Sequence, residues 1–86
     1  MPRFHFDVRE GTRFVPDEVG LTFDNLDVAE HAAAETAAEI GRELLPNGDA
    51  REITVEVRNE YRQRVLTVTA SLEIHRVEPP PLSPRW

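Results

Sequence analysis

The sequence predicts an α+β domain: a single antiparallel β-sheet of about four strands with one α-helix packed on one face, in the order β-β-(β)-α-β-β. Three observations lead there. Phe4, Phe6 and Val8, then Ile53, Val55 and Val57, then Leu66 through Ile74 at every second position, alternate with polar residues in the period of a half-buried strand. Leu26, Ala29, Ala33, Ala37, Ile40 and Leu44 recur at spacings of three and four, which makes one apolar stripe on a helix. Turn-forming residues separate the runs. At 86 residues the chain has room for one core, so residues 1–77 are expected to form one domain, followed by a Pro-rich tail, 78–86, expected to be disordered.

The elements follow in order. In the first strand Arg3, His5, Asp7 and Arg9 occupy the polar face, and Glu10-Gly11-Thr12-Arg13 supplies a turn. A short strand over 13–15 ends at Pro16, which has no amide hydrogen for a ladder. Asp17-Glu18-Val19-Gly20 reads as a second turn, and Leu21-Thr22-Phe23 as a brief third extended piece, either a strand of its own or a continuation of the second strand beyond a bulge. Asp24 and Asn25 are helix caps, and Asp27 brings a carboxylate to the positive end of the helix dipole. Pro46 and the turn Asn47-Gly48-Asp49 should stop the helix near Leu44. The strand at 53–58 comes next. The last pattern, from Val65 to Val77, spans about twice an ordinary strand's length. If that strand lies at an edge, its unpaired backbone could add a second copy or an extended peptide.

Composition narrows the function classes. Ten Arg, no Lys, no Cys and 16 acidic residues leave a formal net charge of −6. Without Cys there is no disulfide scaffold, thiol nucleophile or cysteine-held zinc or iron–sulfur centre. The acidity is uneven: residues 1–50 carry 4 Arg against 11 acids, and residues 51–86 carry 6 Arg against 5. An acidic half repels phosphate backbones, so nucleic acid is a poor partner. No run approaches the roughly 20 apolar residues of a membrane span, and no secretion signal opens the chain, so a soluble cytoplasmic protein is expected.

The opening Met1-Pro2-Arg3-Phe4-His5-Phe6, the Asp17-Glu18-Val19-Gly20 turn, the capped helix after Phe23, and the second half from Leu45 to Glu60 and Arg64 to Ile74 resemble a family of short alphaproteobacterial proteins of rhizobial type and unassigned function. Its members open M-P-R-Y/F-x-F, carry a D-E-x-G turn, and close with a V-x-V hairpin. The likeness spans about residues 1–77. This chain departs from the pattern in reading Asp24-Asn25 for Pro-Asp before the helix, in lacking Gly between Asn59 and Arg64, and in its tail with Trp86. The resemblance implies one compact bacterial domain and carries no catalytic residues with it.

Few side chains suggest chemistry. His5 and Asp7 on the first strand, with Glu73 and His75 on the last, would converge as an oxygen and nitrogen site for a divalent metal if those strands were neighbours. The ordinary reading is cross-strand polar pairing. Arg58, Tyr61, Arg62 and Arg64 gather at a hairpin tip that could stack on RNA or meet an acidic protein surface. The acid pairs Asp17-Glu18 and Asp24/Asp27 fit a turn and a cap better than acid–base catalysis, and neither Ser71 nor Ser83 sits in a nucleophile elbow. The four glycines are scattered, so there is no phosphate loop, and no cofactor motif is present. Pro81-Leu82-Ser83-Pro84 matches P-x-x-P, a short and common pattern.

The residues favour a small non-enzymatic module acting through a protein partner or its own homodimer. A second reading is an antitoxin-like regulator whose hairpin tip touches nucleic acid or a partner; a third is a metal-binding domain on the open sheet face.

Overall fold

A computed structural model describes residues 1–82; the expectations for Ser83, Pro84 and Trp86 lie outside the described residues. The elements are β1 (Arg3–Glu10), β2 (Arg13–Val15), β3 (Leu21–Thr22), α1 (Leu26–Leu44), β4 (Glu52–Arg58) and β5 (Arg64–Ser71). They form the expected α+β arrangement: one antiparallel sheet, ordered β2-β1-β4-β5, with β3 also on β1 and the helix against one face.

β2 and β3 share the same edge of β1. Val8 lies opposite Val15 and Phe4 opposite Leu21, so three residues of β1, 5–7, face five residues of loop, 16–20. The two short strands are thus one strand broken by a bulge, and the surplus backbone folds over the polar side of β1.

Asn25 caps α1, its Oδ1 accepting from the Val28 amide at 3.0 Å, with Asp27 in the first turn and Arg42 in the last. The helix lies over β4 and β5. Ala29, Ala33, Ala37 and Gly41 are its buried residues, a small-residue stripe that lets it sit close on the sheet. A Cβ on Gly41 would stand 3.6 Å from the Ala70 Cβ and 3.0 Å from the Leu45 Cδ1, so the glycine belongs to the centre of the contact. Ile53, Val55 and Val57 of β4 are fully buried beneath it. Phe4, Phe6 and Phe23 extend the core past the helix, the rings of Phe6 and Phe23 stacked at 5.6 Å.

The last strand is shorter than its alternation predicts. Ser71 pairs with Glu52, where β4 begins, and beyond Ser71 there is no neighbouring strand among the described residues. Residues 72–82 run on without helix or strand, leaving Ile74 at 77% and Val77 at 88% exposure. The radius of gyration is 18.9 Å, against about 12 Å for a compact chain of this length, because this arm projects from the body.

The hairpin tip is also tighter than expected from its lack of glycine. Arg62 takes the left-handed position, φ 63°, in a three-residue loop closed by the Asn59 amide to the Gln63 carbonyl at 2.9 Å. The Asn59 Oδ1 accepts from the amides of Tyr61 and Gln63, which holds the turn from inside.

Candidate functional site

Two places could engage something: a knot of charged groups on the polar side, where the 16–20 loop crosses β1, and the free edge of β5 with its arm.

The knot is built by the bulge. Because the edge of β1 that carries β2 and β3 is unpaired at residues 5–7, the Phe6 amide needs another acceptor, and the Asp17 Oδ2 provides it at 3.0 Å. The Asp17 Oδ1 accepts from the amides of Val19 and Gly20, at 3.1 and 2.9 Å, closing the turn. Asp7 returns the contact: its Oδ1 accepts the Asp17 amide at 2.9 Å. The Arg58 guanidinium then donates through Nε to the Asp7 Oδ2, and through Nη2 to the Asp7 Oδ1 at 3.1 Å and the Asp17 carbonyl at 3.2 Å. Asp7, a polar-face residue that alternation alone would leave in solvent, is 4% exposed. Arg3 adds a clamp from the other side, donating to the Val19 carbonyl at 2.7 Å.

His5 contacts the Asp17 carbonyl through Nδ1 at 3.0 Å. A carbonyl oxygen only accepts, so Nδ1 carries the proton and Nε2 is the ring's free nitrogen. The ring lies against Gly20, where a Cβ would come within 2.9 Å of the His5 Cε1 and 2.8 Å of the Phe4 carbonyl oxygen. Gly20 also has φ 74°, so that position needs a residue without a side chain on both counts.

The electrostatics are those of a clasp. The Arg58 hydrogen bonds hold the Asp7 carboxyl below its ordinary value against the opposing effect of burial. Burial pushes the Asp17 carboxyl up, and the amides of Gly20, Phe6 and Val19 outweigh it, so it too lies low. Asp7 raises Arg58 in return. Carboxylates held ionised in this way are poor proton donors, since a general acid needs its pKa raised toward the working pH. Outside the knot an open cavity of about 480 Å³ is lined by His5, Asp17, Glu18, Arg58, Glu60 and Arg62. Its charges are mixed, and Asp17 and Arg58 are already satisfied within the fold.

The four residues considered for a metal are not brought together. β4 separates β1 from β5, His5 and Asp7 belong to the knot, and Glu73 and His75 lie on the arm, 3.4 Å from each other and about 80% exposed. Among the described residues no three His, Asp or Glu side chains are grouped to hold a metal ion. Of the tip residues, Arg58 is taken by Asp7 and Arg64 by Glu56 at 3.1 Å, which leaves Tyr61, 73% exposed, and Arg62 facing outward.

The edge of β5 is the other candidate. On its inner side it pairs with β4 from Arg64 to Ser71; its outer side has no neighbour among the described residues. Leu66, Val68 and Ala70 pack on the core, while Thr67, Thr69 and Ser71 face solvent. The arm continues that alternation in Leu72 and Ile74 against Glu73 and His75. Alternation beyond Ser71 was the one signal in the sequence for this surface.

A family model described as a domain of unknown function, DUF6894, matches residues 3–71, ending with the last residue of β5. No curated protein and no solved structure matches the chain. No helix among the described residues is long and apolar enough to cross a membrane.

Proposed function

We infer that this chain, which belongs to the DUF6894 family, is a non-enzymatic binding module that engages another polypeptide by strand addition along β5 and its arm. One observation carries the reading: among the described residues β5 has a strand on one side only, and the chain runs past its end in the same alternation with no strand on either side. An open edge of this kind is a template for another chain: β5 has no Lys, no Pro and no inward-pointing charge between Val65 and Ser71, and its one irregularity, the register shift at Val65, lies at the hairpin end. The knot supports the non-enzymatic half, because Asp7 and Arg58 are spent on each other and Asp17 on backbone amides.

The test is a display selection of extended peptides against the full-length chain, followed by amide chemical-shift mapping of the strongest binder. Shifts concentrated over residues 64–77 are expected. Binders that map to the His5 cavity or the hairpin tip, or no enrichment at all, would overturn the reading.

A further inference from the structure

The edge of β5 and the arm need each other's kind of partner, and a single chain cannot satisfy both. β5 lacks a strand on its outer side; residues 72–77 are a strand-patterned segment without a sheet. Folding the arm back on its own β5 would require a reversal at Ser71-Leu72-Glu73, where there is neither Gly, Pro nor Asn to make a tight turn. A second copy meets both needs at once.

Resting on the strand-addition reading above, we propose that the occupant of the β5 edge is the β5 strand and arm of a second copy, the two lying antiparallel about a two-fold axis that passes through Ser71. Directly opposed residues of an antiparallel pair share a face. This register sets Leu72 opposite Ala70 and Ile74 opposite Val68 on the helix side, and Glu73 opposite Thr69 and His75 opposite Thr67 on the polar side. Val68 and Ala70 are half-buried, so the partner's Ile74 and Leu72, now 77% and 47% exposed, complete the apolar layer at the sheet's margin.

Charge selects this edge over the rest of the surface. The helix's outer face carries Glu30, Glu35, Glu39 and Glu43, so two copies repel there, whereas residues 64–77 hold Arg64, Glu73 and Arg76 and come together without that cost. The contact is isologous and closes, joining two sheets into one continuous sheet with both helices on the same side. The arm lies beyond residues 3–71 matched by the family model, so the device belongs to what this chain adds to the domain.

Light scattering of the full-length chain from low to high micromolar, with hydrogen exchange at both ends of the range, tests the proposal. The expected result is a mass that doubles from 9.8 kDa, with amides 72–77 becoming protected as it does. Leu72→Glu with Ile74→Glu, at exposed positions outside the core, should weaken association by roughly a hundredfold while leaving the circular dichroism unchanged. Because the chain has no Cys, Ser71→Cys should yield a covalent dimer under mild oxidation much faster than Thr67→Cys, since only position 71 faces itself. A dimer that survives the double variant, or equal cross-linking at 67 and 71, would overturn this interface. A monomer throughout the range would overturn self-association; selected peptides still binding at 64–77 would then leave the strand-addition reading standing, and their failure would remove both.

Discussion

Arg58, at the end of β4, grips Asp7 of β1, 51 residues earlier in the chain, by two hydrogen bonds to one carboxylate. The pair ties the two central strands together on the face opposite the helix and, through the Asp17 amide on the Asp7 Oδ1, fastens the loop that interrupts β2 and β3.

Asp7→Ala should therefore lower unfolding stability by about 2–3 kcal/mol, because it strands a half-buried guanidinium and frees the Asp17 amide. Arg58→Ala in the same background should cost less than it does alone, with a coupling of roughly 1–2 kcal/mol in urea unfolding. Additive losses would mean that the two residues act independently.

Acid should loosen the same knot. Both carboxyls lie below their ordinary value of 3.8 in the folded chain, so their contribution is full above that value, where the unfolded chain is also ionised. It is lost as pH falls through the lower folded values. Urea midpoints should accordingly hold between neutrality and about pH 5 and fall below about pH 4, and Asp7→Asn should start lower and fall less steeply over that acid range.

Gly20→Ala is expected to cost more than about 2 kcal/mol, since a Cβ there meets the rigid Phe4 carbonyl oxygen at 2.8 Å and the backbone is left-handed. Thermal unfolding would register it, along with a shifted His5 ring resonance as the imidazole is displaced.

Arg62→Gly should act in the opposite sense. Relief of the left-handed backbone at φ 63° is worth about 1 kcal/mol, so the melting temperature should rise or hold, whereas Arg62→Ala should bring no gain. Asn59→Ala, which removes the Oδ1 that holds the Tyr61 and Gln63 amides, should lower the unfolding free energy by about 1 kcal/mol.

Much of this architecture was legible in local pattern. The alternation at Phe4-Phe6-Val8 and Ile53-Val55-Val57, and the stripe through Ala29, Ala33 and Ala37, each report a face, and a face is a property of a few consecutive residues. The caps at Asn25 and before Pro46 bounded the helix for the same reason. The polar face resisted reading. Asp7 carries the alternation of a solvent-facing residue, yet the loop that buries it lies ten residues on, and nothing in the spacing says that this loop folds over. The grouping of His5 with His75 supposed that β1 and β5 are neighbours, an order that alternation leaves open and that the insertion of β4 between them decides.

Side-chain period and backbone preference are enough to assign the strand-like segments, the two ends of the helix and the inward side of each. The length of the last strand and the pairing of the charges come from contacts between distant segments. A strand exists only as far as it has a neighbour, so the pattern from Val65 to Val77 becomes a strand only to Ser71, opposite the start of β4, and an arm beyond it. Arg58 and Asp7 become an ion pair, the carboxylate buried and the guanidinium half-buried, through a contact that no local pattern encodes.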